Sequence, residues 1–302
     1  MKNKKLLLFS SSILLIFSVI LSDKKSNSIV LAEQSITQSQ TTASQEVNEL
    51  FKKGVDSANS GKYQEAIKYF NQVIQIKPDY IGAYLRRGII YIILKQYQEA
   101  IADYSQAIKL RPDDDDAYLN RGFAYNELKQ YQEAIADYSQ AIKLNPDYAA
   151  VYVNRGIIYG ILKQYQEAIT DYSQAIKLNP NHVKAYYHRG ISYNNLKQYQ
   201  EAIANYSQAI KLKPDEALFY NNRGNSYNEL NRYQEAIADY SQAIKLNSEY
   251  AEAYNNRGNT YYYLGQRQQA IQDYQKAAEL FQQQGDIENY QKAQESLKKL
   301  EN

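Results

Sequence analysis

The chain has 302 residues, 23% of them charged, with a formal net charge of +2, 32 tyrosines and no cysteine. Without cysteine there can be no disulfide, no thiolate metal centre and no lipidated cysteine anchor. Five lysines against one aspartate in the first 32 residues leave 30 basic and 32 acidic groups from residue 33 onward, which is no footprint for nucleic acid.

Residues 1–32 read as a targeting segment. Lys2, Lys4 and Lys5 precede an uncharged run from Leu6 to Leu21, and Val30-Leu31-Ala32 offers small residues where an export peptidase reads. That run is shorter than the roughly 20 residues a membrane span needs. Two outcomes are open: a cleaved signal peptide, or an uncleaved N-terminal anchor held by the run and Asp23-Lys24-Lys25. More positive charge lies before the run than after it, so both place the rest of the chain outside the cytoplasm, in a periplasmic, lumenal or extracellular space. Membrane contact is expected only through residues 1–25, if they are retained. Residues 33–46 are rich in Gln, Ser and Thr with no apolar period, and read as a flexible linker.

From Val47 a glycine returns every 34 residues, as Gly54, Gly88, Gly122, Gly156, Gly190, Gly224 and Gly258. The third copy sets the pattern: Tyr118, Arg121, Gly122, Tyr125, Ala134, Tyr138, Ala141 and Pro146. This resembles the tetratricopeptide repeat family, whose pattern at this period has Trp, Leu, Gly, Tyr, Ala, Phe, Ala and Pro. Tyr stands for the family's Trp and Phe. Arg stands for its Leu, with Lys53 in the first copy. The resemblance covers residues 47–284 as seven units (47–80, 81–114, 115–148, 149–182, 183–216, 217–250 and 251–284). It implies an all-α, right-handed α-solenoid of antiparallel helix pairs in one elongated domain, with residues 285–302 as a C-terminal capping helix.

Within the third copy the expected helices run over Asp116–Leu128 and Tyr131–Leu144. Lys129-Gln130 turns between them, and Asn145-Pro146-Asp147 leads to the next unit. At 100° per residue Tyr118, Gly122 and Tyr125 share one arc of the first helix, which must be buried. Tyr131, Ala134, Ile135, Tyr138, Ala141 and Ile142 form the facing stripe. Glycine inside a helix costs roughly 1 kcal/mol against alanine, so close packing against small residues such as Ala134 must offset it. The end units are atypical, and Tyr290, Ala293, Leu297 and Leu300 give one further amphipathic helix.

The opposite arc of each first helix holds repeat positions 2, 5, 6, 9, 12 and 13. In the resembled family that arc lines a concave groove holding a partner's peptide, and the second helices here are nearly identical while the first helices differ. Copies two to five present Leu85, Ile89, Ile92 and Ile93; Leu119 and Phe123; Val153, Ile157 and Ile161; Tyr187 and Ile191. Copies six and seven present Asn221, Asn222, Asn225 and Asn228, then Asn255, Asn256 and Asn259. Position six reads Lys52, Arg86, Asn120, Asn154, His188, Asn222 and Asn256. It resembles the asparagine ladder of O-GlcNAc transferases, which implies only the holding of an extended peptide, since a primary amide both donates and accepts.

The recurring Arg87, Arg121, Arg155, Arg189, Arg223 and Arg257 sit at the edge of the buried arc, opposite Asp103, Asp137, Asp171, Asp239 and Asp273. A structural ion pair is the expected arrangement. His182 and His188 turn to different helix faces and complete no metal site, and no phosphate loop or Ser-His-Asp set occurs. The sequence thus points to a non-catalytic, cofactor-free and metal-free scaffold that binds a protein or peptide. The alternative is self-association, with the groove filled by a second copy or by the chain's own N-terminal segment.

Overall fold

Every element among the described residues, 43–301 of this computed structural model, is a helix. The expected export segment and most of the expected linker lie outside the described residues. The chain divides into two compact units, one ending at Pro112 and one beginning at Asp113. The first holds α1 (43–59), α2 (Tyr63–Ile76), α3 (Ile81–Ile93) and α4 (Tyr97–Leu110). The second holds α5 (Asp115–Glu127), α6 (Tyr131–Leu144), α7 (Ala149–Ile161), α8 (Tyr165–Leu178), α9 (Val183–Asn195) and α10 (Tyr199–Leu212). It continues with α11 (Ala217–Glu229), α12 (Tyr233–Leu246), α13 (Ala251–Tyr263), α14 (Arg267–Gln283) and α15 (Ile287–Glu301). The sequence reading expects one continuous domain. Repeats touch only their neighbours, and the division beside Pro112 falls close to the expected boundary between the second and third copies.

In the third copy α6 has the expected bounds and α5 begins and ends one residue early. Asp114 caps α5, its carboxylate accepting from the Ala117 amide at 2.9 Å. The first helix is already formed at residue 43 rather than at Val47, which corrects the linker boundary. None of Ala43, Ser44, Gln45 and Glu46 breaks a helix, and Val47 is a buried anchor behind them.

The turns inside the pairs share one geometry. Lys95, Lys129, Lys163, Lys197 and Asn231 have φ between 56° and 60°, where other turns use Gly61, Gly265 and Gly285. The Gln96 amide donates back to the Tyr91 carbonyl and the Lys95 amide to that of Ile92, the paired bonds that close a helix through one left-handed residue. The backbone reverses within three residues, and successive helices run antiparallel.

Packing centres on the periodic glycines, whose partner is a tyrosine ring, or Phe70 for Gly54, rather than the expected alanine. A Cβ on Gly156 would stand 2.7 Å from Cε1 of Tyr172, and one on Gly224 the same distance from Cε1 of Tyr240. Only a bare Cα admits the ring. Tyr104, Tyr138, Tyr172, Tyr206 and Tyr240 are almost fully buried this way, with fully buried Ala100, Ala134, Ala168, Ala202 and Ala236 one turn earlier. In the second unit α15 lays Ala293 on Ala277, Ala278 and Phe281, and Leu297 and Leu300 on Ala270 and Tyr274.

Candidate ligand-binding surface

The first helices of copies two to seven each carry an arginine at the edge of the buried arc. Arg87, Arg121, Arg155, Arg223 and Arg257 each hold the aspartate 16 residues ahead with two bonds, Nε to Oδ2 at 2.7–2.8 Å and Nη2 to Oδ1 at 2.5–2.8 Å. The same guanidinium reaches back to the preceding repeat. Arg155 Nη1 donates to Ser139, Arg223 to Ser207 and Arg257 to Ser241 at 2.8–2.9 Å, and in the first unit Arg87 donates to Asn71. Tyrosine rings three residues before and four after each of the five paired arginines stand 5.6–6.0 Å from its carbon. Burial alone would lower the pKa of Arg155, Arg223 and Arg257, but the bonds and charge of their aspartates hold it raised. The expected ion pair is therefore present, and this arginine joins repeats rather than facing a ligand.

The fifth copy departs from the rule. Asn205 stands where its sisters have Asp, accepting from Arg189 Nε at 2.7 Å and donating to the Glu201 carbonyl. Arg189 also donates to Ser173, and burial lowers its pKa because no carboxylate compensates.

On the opposite arc of the first unit, Arg86 and Ile89 are exposed and Leu85 is half-buried. Ile89 is 38% exposed and Ile93, one turn on, 50%. In the second unit Phe123, Ile157 and Ile191 are half-buried, and Ile157 packs on the cluster of Tyr152, Val153 and Tyr172. Ile161 remains 50% exposed. Two residues expected on the open face, Val153 and Asn221, are buried. Single-helix angles omit the first helix of the next repeat, and α7 with α9 and α11 with α13 pack at this position.

Position six is equally divided. Asn154 lines a pocket of about 470 Å³ with Asn179, His182 and Lys184. Asn120 donates to the Asp116 carbonyl at 2.8 Å, and Asn222 to the Tyr187 hydroxyl at 2.9 Å. His188 stacks on Tyr172 and meets the edge of Tyr187, and burial, with Lys184 nearby, pushes its imidazole below the ordinary pKa. Asn256 donates to Asn221 and Asn225 at 3.2 and 3.1 Å. Asn225, Asn256 and Asn259 line a second pocket of about 480 Å³, together with Asn228, also expected on the open arc, and Asn194, which the angular reading left out. Among the described residues no group of three His, Asp or Glu is placed to hold a metal, and no helix is long and apolar enough to cross a membrane.

Tetratricopeptide repeat profiles match residues 58–102, 88–129, 205–238 and 224–265, and, in whole units, 115–148, 149–182, 183–216 and 251–284. The chain belongs to the tetratricopeptide repeat family. Solved tetratricopeptide repeat structures share its fold. One from Parabacteroides merdae superposes with a TM-score of 0.60 at 23% identity, over 85% of this chain and 100% of its own. MamA gives 0.55 at 24% identity, over 58% of this chain and 95% of its own. YrrB, titled a TPR protein with an unusual peptide-binding site, gives 0.55 at 22%, over 64% and 97%. A search of curated proteins returned no match. Tetratricopeptide repeats are protein-interaction modules, and what varies among the copies here is the open side of the first helix.

Proposed function

We propose that this protein is a non-catalytic scaffold that holds a peptide segment of a partner protein on the open faces of its first helices, as part of an assembly outside the cytoplasm. The observation that carries the reading is the exposed pair Ile89 and Ile93 with Arg86 beside them on α3. Exposed branched apolar side chains one turn apart are the form in which a helix offers anchorage to a ligand, and a soluble protein gains by covering them. The second unit adds Ile161 and the pocket at Asn154. Support also comes from YrrB, a structural neighbour with a peptide-binding site in its title. The extracytoplasmic location rests on the lysines ahead of the apolar run at Leu6–Leu21.

Peptides selected on the full chain from a random display library test this, with affinity read by fluorescence anisotropy. Ile89→Ser with Ile93→Ser should weaken the selected peptides about tenfold, the effect of withdrawing two partly exposed isoleucines from an interface. Both side chains face solvent, so an unchanged melting temperature serves as the folding control. Undiminished affinity in the double variant would refute the assignment of α3.

A further inference from the structure

The pocket at Asn225, Asn256 and Asn259 differs in kind from the isoleucine face. Four amides around it lie against hydroxyl groups, two of them with their oxygens held by a tyrosine. The Ser226 hydroxyl lies 2.9 Å from Asn194 Oδ1, Thr260 3.1 Å from that of Asn228, and Tyr274 2.7 Å from that of Asn259. Asn225 Oδ1 accepts from Tyr240 at 2.8 Å and from Asn256. Among the described residues nothing accepts from the amide nitrogens of Asn194, Asn225, Asn228 and Asn259. Tyr240 and Tyr274 thus orient the NH2 groups of Asn225 and Asn259, whereas Ser226 and Thr260 share their single protons with the Asn222 and Asn256 carbonyls and leave Asn194 and Asn228 able to present either end. All four amides belong to one cavity of about 480 Å³, a volume within the range of small-molecule sites.

The rest of the lining narrows the ligand. Glu229 takes one bond, from the Tyr199 hydroxyl at 3.0 Å, and keeps its other oxygen as an acceptor, while no cation lines the pocket. An anionic ligand would meet that carboxylate with nothing to balance it. An apolar side chain would strand these four amides, each a costly loss of hydration. An extended peptide turns successive carbonyls to opposite sides, so a passing strand cannot satisfy donors that converge. Vicinal hydroxyls accept from amides and donate to a carboxylate within one small volume. At the edge stands Tyr263, 62% exposed and stacked on Tyr233 at 6.0 Å and 20°, a flat face for the C–H side of a sugar ring.

We propose that this pocket, in the second unit, binds a neutral saccharide. The site is separate from the face at Ile89 and Ile93 and stands whether or not a peptide binds there. It reassigns Asn225, Asn256 and Asn259 from peptide holding to sugar recognition.

The test is saturation-transfer NMR on the full chain with cellobiose, maltose, lactose and N,N′-diacetylchitobiose, followed by calorimetric titration of whichever binds. At least one should show transfer and bind with an affinity that falls about tenfold in each of Asn228→Ala, Glu229→Gln and Tyr263→Ala, the loss expected for one hydrogen bond or stacking contact. Glu229 and Tyr263 are surface groups, so their variants remain folded even if Asn228→Ala does not. Ile89→Ser with Ile93→Ser should leave sugar binding unchanged and impair only peptides. Three results would overturn the proposal: no transfer from any of the four sugars at about 10 mM, well above a weak millimolar affinity; transfer undiminished in Glu229→Gln and Tyr263→Ala; or display-selected peptides that lose affinity in these variants, which would make the pocket a peptide subsite.

Discussion

Asn205→Asp should stabilise the protein, and the sister repeats supply the arithmetic. Arg189 is already half-buried and bonded to two neutral oxygens, so the cost of dehydrating the cation is present in the wild type. An aspartate there would repeat the two-bond grip of Asp171 and Asp239, whose side chains are 5% and 8% exposed. Hydrogen bonds involving a charged group contribute about 1.5–3 kcal/mol against about 0.5–1.5 for neutral ones. Burial of the new carboxylate opposes the gain, and at Asp103 and Asp239 it outweighs the arginine and raises the carboxyl pKa; the gain therefore rests on the cation, whose pKa is lowered at Arg189 and raised at Arg155 and Arg223, where an aspartate stands opposite. The net expectation is a gain of about 1 kcal/mol, which for a unit of this size is about 2–4 °C in melting temperature. Circular dichroism at 222 nm would follow the melt, and hydrogen exchange across α9 and α10 would localise the change. Asp171→Asn should show the opposite sign. A melting temperature that stays put or falls in Asn205→Asp would refute the reasoning and reduce the arginine–aspartate pairs to devices of register without net stability.

Gly156→Ala and Gly160→Ala form a matched pair on α7. The first puts a Cβ 2.7 Å from the Tyr172 ring and should cost about 1–3 kcal/mol by overpacking, whereas the second meets only the Tyr172 hydroxyl at 3.9 Å and should gain up to about 1 kcal/mol in helix propensity; urea melts of the two read the difference. Tyr104 keeps a buried hydroxyl with no partner among the described residues, so Tyr104→Phe should stabilise by about 1 kcal/mol, while Tyr240→Phe, which removes the shorter of the two bonds to Asn225 Oδ1, should destabilise by up to a similar amount in the same assay. Acid should weaken the second unit. Burial lowers the folded-state pKa of His188 and of His182, so below the unfolded value of about 6.5 the unfolded chain takes up protons that the folded one resists, and stability falls as pH drops from 7 to 5. His188→Asn, the residue that copies three, four, six and seven carry at this position, should flatten that slope in melts across the same pH range.

What was legible in the sequence was whatever a single repeat decides for itself. The glycine period gave the helix pairs because each glycine admits the aromatic ring 16 residues on, and Tyr131 and Leu144 bounded α6 correctly because turn residues stand on both sides. The arginine–aspartate pair was readable because both partners lie within one unit. What needed two units was hidden. Ser139, Ser173, Ser207 and Ser241 looked like repetition without purpose, yet three of them receive the next repeat's arginine at 2.8–2.9 Å and Ser173 receives Arg189 at 3.0 Å. Val153 and Asn221 were placed on the open face because a lone helix has no neighbour to cover them. The roles of Asn194 and Asn228 arise where Ser226 and Thr260 of following repeats turn their amides. The left-handed lysines carry no residue signature, although Gly61, Gly265 and Asn231 at equivalent turns hint at one.

The bond from each guanidinium to the serine of the copy before it makes successive joints in the second unit interchangeable. A copy inserted or lost in frame would find the same hydroxyl waiting on its neighbour. The strings at Tyr97–Leu110 and Tyr131–Leu144 are identical, so the genes encoding such chains are open to unequal recombination. Natural lineages of this protein should accordingly differ in length by multiples of 34 residues, with each longer or shorter form able to fold at once.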